Sequence, residues 1–204
     1  MNECLYRPGL WAVRKDFKMK TTYHMNIAGC ERDLPLCKAS DDLVIGAFVI
    51  FGDVELTCAS AKALLERAPE FDYMVAPEAK AIPLIHEMAR QSGRNDYMLV
   101  RKAPKLYMNG VFETEVKSIT TEKVQKLYMD GADAAKFKGK RVLILDDVIS
   151  TGESIAAVAK LVEQAGGNIV AKMAILAEGN AADRKDIIVL EKLPLFDKEG
   201  NPIE

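Results

Sequence analysis

Metal-ligand spacing is missing from this sequence. Its four cysteines, Cys4, Cys30, Cys37 and Cys58, form no C-x-x-C pair, and His24 and His86 are its only histidines, so no zinc site is expected. Charge of one sign is missing too. The 28 Lys and Arg face 30 Asp and Glu, a net charge of −2, which removes the broad basic field of a duplex-DNA binder. No apolar run reaches the roughly 18 residues of a membrane span; the longest, Leu43 to Phe51, is strand-sized. No secretory leader with an apolar core and a cleavage site is evident. The expected setting is therefore a reducing cytoplasm with four free thiols. Internal repeats and low-complexity tracts are also lacking.

What is present is an ordinary globular composition, 49 % apolar and 28 % charged over 204 residues. That is enough for one domain with a real core. Met1 to Lys18 differ from the rest, mixing Arg7, Trp11, Arg14, Lys15 and Phe17 without periodicity. They read as a poorly ordered N-terminal extension, with the main domain over 19–204. From there, strand-like stretches recur at Leu43 to Phe51, Tyr73 to Ala76, Tyr97 to Val100, Val142 to Leu145, Ile169 to Leu176 and Ile187 to Leu190. Helical spacing falls between several of them, at Thr57 to Arg67, Ile82 to Arg90 and Glu153 to Gln164, the last stopped by Gly166-Gly167. Strand and helix in alternation predict an α/β fold, a mostly parallel sheet with helices on its faces. Val116 to Met129 breaks the alternation and predicts an inserted hairpin or strand pair. In such sheets ligands bind beyond the carboxyl ends of strands, here after Ala76, Val100 and Leu145.

The segment Val142 to Ser154 stands out. Four apolar residues run into Asp146-Asp147, then Val148-Ile149, then the small turn Ser150-Thr151-Gly152-Glu153-Ser154 at a helix start. A tight turn of backbone N–H groups at a helix N-terminus is a cradle for phosphate, and Gly152 lets the backbone approach the anion. The carboxylates must face something other than phosphate: ribose hydroxyls, or water on a magnesium ion. A side-chain helix cap by the same Ser and Thr residues is expected alongside.

This string resembles the phosphoribosyl pyrophosphate (PRPP) signature of the type I phosphoribosyltransferase family: four apolar, two acidic, two apolar, then a Thr-Gly loop. The resemblance covers about residues 40 to 196. It implies that Asp146 and Asp147 hold the ribose hydroxyls, that Ser150, Thr151, Gly152, Glu153 and Ser154 grip the 5′-phosphate, and that Mg²⁺ accompanies PRPP. Ala76 to Pro83 resembles the family's pyrophosphate loop, which assigns Glu78, Ala79 and Lys80 to pyrophosphate. Arg101-Lys102-Ala103-Pro104-Lys105 resembles the RK-x-x-K segment, which adds Arg101, Lys102 and Lys105, often across a homodimer interface, with Leu106 to Glu113 as a mobile flap. A small hood would come from about 19–56 and 178–204.

Val49 to Val54 resembles the base-binding segment of the adenine enzymes, with Phe51 stacking on a purine and Val49 and Gly52 offering backbone contacts. Read without the resemblance, Phe51 is equally a core residue. The adenine enzymes commonly carry a basic residue where Gly52 stands. Ser150 replaces the acidic residue usual in hypoxanthine-guanine enzymes. Lys105-Leu106-Tyr107-Met108 lacks the Asp-His-Gly-like stretch of orotate enzymes. Adenine is thus the favoured base, with xanthine, hypoxanthine or orotate as alternatives. A non-catalytic PRPP-sensing regulator also stays open, although only about forty residues precede the matching region. Glu178 to Lys185 is a candidate for closing the base site. No membrane or nucleic-acid partner is expected.

Overall fold

The structure, a computed structural model, describes residues 20–117 and 124–203. The expected N-terminal extension and Thr120-Thr121 at the middle of the expected hairpin lie outside them. The described chain starts with an antiparallel hairpin, β1 (Thr22–Ile27) and β2 (Cys30–Lys38). Its two-residue turn, Ala28-Gly29, has positive φ at both positions, 51° and 84°. That backbone twist matches the twist of the flanking strands.

The expected strand over Leu43 to Phe51 is shorter, β3 (Val44–Gly46) only. Ala47 donates its N–H to Pro35 O, and Asp53 donates to Ile50 O, so the chain turns away to enter α1 (Val54–Arg67). Asp53 caps α1 by accepting from the Leu56 N–H. There follow β4 (Tyr73–Pro77), α2 (Ile82–Gln91), β5 (Met98–Val100) and the hairpin β6 (Phe112–Lys117) with β7 (Val124–Met129). The last elements are α3 (Gly131–Phe137), β8 (Arg141–Ile149), α4 (Glu153–Gln164), β9 (Asn168–Glu178), β10 (Ile188–Leu193), β11 (Leu195–Phe196) and β12 (Pro202–Ile203).

The central sheet runs β10-β9-β8-β4-β5, and every pairing in it is parallel. Along β8 the side chains alternate between faces with the period of a strand. Leu143 and Leu145 pack with α1 and α2 (Leu56, Leu64, Leu84, Ile85, Met88). Val142 and Ile144 pack with α3 and α4 (Phe137, Ile155, Val158, Leu161). A strand buried on both faces must read as a continuous apolar run, which is why Val142 to Leu145 was legible. A second sheet, β1-β2-β3-β11-β12, joins the two ends of the described chain. Met25, Ile27 and Leu34 from it enter the same core as α1 and α2. Among the described residues no helix is long and apolar enough to cross a membrane.

Candidate active site

Strand order decides where a cleft forms. From β4 the chain crosses by α2 to β5 on one side, and from β8 it crosses by α4 to β9 on the other. β4 and β8 are neighbours, so their carboxyl ends diverge into a crevice, the position where doubly wound sheets bind ligands. Their pairing stops at Val75–Ile144, while β8 continues to Ile149. The acidic pair therefore lies inside β8, not beyond its end as expected. β9 carries the strand on: Asp146 pairs with Ala174, and Val148 with Leu176. The opposite edge of β8 at this height is open to the crevice.

A cleft of about 200 Å³ fills the crevice, lined by Pro77, Glu78, Ala79, Lys80, Lys102, Leu127, Asp146, Asp147, Val148 and Ser154. A niche of about 40 Å³ adjoins it along Ser150, Thr151, Gly152 and Ser154, sharing Asp146 and Val148. Asp146 and Asp147 are 9 % and 6 % exposed. Burial, and then the neighbouring Asp147 charge, push the Asp146 carboxyl well above its ordinary range. Asp146 Oδ1 accepts from the Asp147 N–H at 2.9 Å. Asp147 Oδ2 is buried without a hydrogen-bond partner, a costly state that a ligand donor would relieve. Lys80 Nζ stands 3.7 Å from that oxygen.

The helix starts at the cleft differ from those elsewhere. α1 and α3 are capped by Asp53 and Asp130. α2 and α4 have no side-chain cap. For α4 this corrects the expected Ser/Thr cap: the N-cap is Gly152, at φ 80°. Thr151 Oγ1 only accepts from the Glu153 N–H, at 3.4 Å. The left-handed residue turns the preceding hydroxyls away from cap geometry and leaves first-turn N–H groups facing the niche, where an anion is favoured.

Not all assigned cations converge. Arg101 donates from Nη1 to Glu78 Oε2 at 3.0 Å, and the Lys102 N–H donates to Glu78 Oε1 at 2.7 Å. Burial pushes the Glu78 carboxyl up, but the Lys102 amide and the Arg101 guanidinium outweigh it and hold it below its ordinary value. Glu78 thus ties the segment after β5 to the loop after β4. Arg101 does not line the cleft, and neither does the exposed Lys105. Val49 and Phe51 are 56 % and 50 % exposed, which removes the core reading of Phe51; neither lines the cleft. Gly52 lines a separate groove of about 200 Å³ with Ile50, Val54, Pro83 and His86.

Two residues of the stretch expected to close the base site stand near the cleft: Glu178, the last residue of β9, and Arg184 beyond it. Burial raises the Glu178 carboxyl, and the charge of nearby Lys80 opposes that rise. A Cβ placed on Gly152 would lie 2.0 Å from Arg184 Nη1. The only sequence signal for either was its place at, or just beyond, the end of a long buried strand.

Comparison with known proteins agrees with this geometry. The adenine phosphoribosyltransferase of Thermotoga petrophila is 38 % identical over 109 residues, 53 % of this chain and 60 % of the relative. The match therefore spans less than two thirds of that relative's length. The crystal structure of adenine phosphoribosyltransferase from Thermoanaerobacter pseudethanolicus superposes with a TM-score of 0.59 at 27 % identity, covering 70 % of this chain and 84 % of that one. The Saccharomyces cerevisiae adenine enzyme, solved with adenine and an imino-altritol bisphosphate, gives a TM-score of 0.62 at 21 % identity over 84 % of this chain and 93 % of that one. It shares the fold, the type I phosphoribosyltransferase architecture expected from the sequence. The model of the phosphoribosyl transferase domain matches residues 59–199, from within α1 to the turn before β12, taking in both loops of the cleft and the acidic strand between them, and the chain belongs to that family.

Proposed function

We propose that the protein is a purine phosphoribosyltransferase that transfers ribose 5-phosphate from PRPP to adenine, giving AMP and pyrophosphate in purine salvage. One observation carries this reading: a buried acidic pair stands between the Glu78–Lys80 loop and the uncapped start of α4 at the switch point of a parallel sheet. A ligand with two separated anionic groups and hydroxyls between them matches that order of groups.

In the proposed reaction the C1′–N9 bond forms as the bond from C1′ to pyrophosphate breaks, and the proton that adenine carried on that imidazole ring is released. Positive charge develops on the ribose ring, and negative charge on the departing group. Asp146 and Asp147 accept from the ribose hydroxyls, and their anionic character favours the cationic ring. The Ser150–Ser154 turn holds the 5′-phosphate. The Ala79-Lys80 loop and Lys102 meet the pyrophosphate. Glu78 is a positioning residue, since it joins Arg101 and the Lys102 amide to that loop. Leu106, fully exposed, and Tyr107 belong to a flap that would exclude water from the reacting centre. Phe51 stacks on the base, with Val49 and Gly52 beside it, and the smaller sheet forms the hood. A cytoplasmic homodimer completes the reading, with the exposed Lys105 serving a shared site.

The cleft suits Mg²⁺ brought in by PRPP. Asp146 and Asp147 are hard oxygen donors, and one oxygen, Asp147 Oδ2, lacks a partner. Among the described residues no group of three His, Cys, Asp or Glu is arranged to hold a metal alone, which fits an ion held by one or two carboxylates and substrate phosphates. When bound, it would neutralise charge on the departing pyrophosphate.

The test is pyrophosphate release from PRPP and Mg²⁺ with adenine, hypoxanthine, guanine, xanthine and orotate in parallel. Release with adenine above the others is expected. Binding of PRPP without release for any base would replace the enzyme reading with a PRPP sensor.

A further inference from the structure

The Ser150–Ser154 turn has no cation of its own, and it carries Glu153. A phosphate dianion held there by amides alone would lack a charged partner. Arg184, in the segment after β9, stands against this turn at Gly152, just outside the residues that line the niche. A Cβ on Gly152 would meet its Nη1 at 2.0 Å and its Cζ at 3.2 Å, so the guanidinium occupies the space beside the turn where any side chain at 152 would go.

The guanidinium is also fixed. Nε donates to Asp186 Oδ1 at 2.9 Å and Nη2 to Asp186 Oδ2 at 2.8 Å, a two-pronged grip on one edge. Lys172 Nζ donates to the same carboxylate at 3.1 Å. Two cations share one anion, so the cluster keeps a positive charge. Nη1 makes no hydrogen bond among the described residues.

We propose that Arg184 is the cation of the 5′-phosphate subsite, held by Asp186 so that Nη1 donates to a phosphate oxygen of the ligand. This rests on the reading of the turn as a 5′-phosphate site. A rigid guanidinium with a spare donor suits phosphate better than a flexible ammonium would. The arrangement also gives Gly152 a second reason to be glycine, because the Arg184 side chain fills the space of its missing Cβ.

The test is calorimetric binding of ribose 5-phosphate, and separately of Mg²⁺-pyrophosphate, to the wild type and to R184Q, with a melting curve for each. R184Q is expected to weaken ribose 5-phosphate by about 10- to 100-fold, in the range of a lost charged hydrogen bond, with pyrophosphate unchanged within about twofold. R184K should recover part of the loss. Unchanged ribose 5-phosphate affinity in R184Q would overturn the proposal. So would an equal loss for both ligands, which marks a general disturbance of the cleft. Should R184Q melt far below the wild type, R184K decides on the same two ligands. A selective loss for ribose 5-phosphate supports the proposal, and an unselective loss or none overturns it. A wild type that binds pyrophosphate but not ribose 5-phosphate would overturn the subsite reading itself, before any variant is considered.

Discussion

At the scale of single residues, the acidic pair sets stability against function. Asp146 is buried, and its carboxyl is pushed up by burial and by Asp147. The folded state holds that proton more tightly than the unfolded chain, so ionising Asp146 costs stability as pH rises past the ordinary carboxylate value. Asp146→Asn keeps an acceptor for the Asp147 N–H and removes the charge. It should raise Tm at pH 7–8, the gain should vanish below about pH 4 where both chains are neutral at this position, and turnover should be lost. Thermal melts from pH 3.5 to 8 check the sign. Asp147→Asn should cut turnover by about two orders of magnitude or more while the fold melts within a few degrees of the wild type; steady-state kinetics with a melt decides. Phe51 is half exposed, so Phe51→Ala should leave Tm nearly unchanged. It should raise KM for the base by roughly tenfold, a stacking contact's worth, with KM for PRPP unaffected. Equal effects on both KM values would remove its stacking role.

At the scale of elements, the four α-helices among the described residues divide by their starts. α1 is closed by Asp53, whose side chain also takes a two-pronged grip from Arg32 at 2.7 and 2.9 Å. Asp53→Ala should therefore lower stability by about 1–2 kcal/mol, the range for a lost cap, read by urea denaturation. α4 starts without a side-chain cap beside the niche, while α2 starts with the Ile82 N–H bonded to Ala79 O and with Pro83, and that division was only half legible. The apolar spacing of Ile155, Val158 and Val162 identified α4 because its buried face follows the helical period. The expected Ser/Thr cap failed because Gly152 at φ 80° takes the N-cap position. The β1–β2 hairpin went unread for a related reason. Ala28-Gly29 is not a strong turn signal, and Cys30-Glu31-Arg32-Asp33 places charge where a strand is usually apolar. α3, at seven residues, is too short to show a period.

For the whole molecule, the sheet was legible where strands are buried on both faces, whereas no apolar pattern marked the smaller sheet, whose partners come from opposite ends of the chain and were put together only by the resemblance, as a hood. Phe196 shows this: it is fully buried in a two-residue strand, stacked edge-on against Tyr23 at 4.9 Å between ring centroids. Phe196→Ala should cost about 3–5 kcal/mol, seen as a shifted denaturation midpoint. The cleft itself joins residues 77–80 to residues 146–154, and only a known signature could pair segments so far apart in sequence. One contact spans that join, Lys80 beside Asp147. Under the proposed reading, this pair is a placeholder. Pyrophosphate claims the ammonium and ribose claims the carboxylate, so whichever half of the substrate arrives first parts the pair for the other. Binding the two halves is then cooperative with no change of shape, and the pair closes again only when both halves have left.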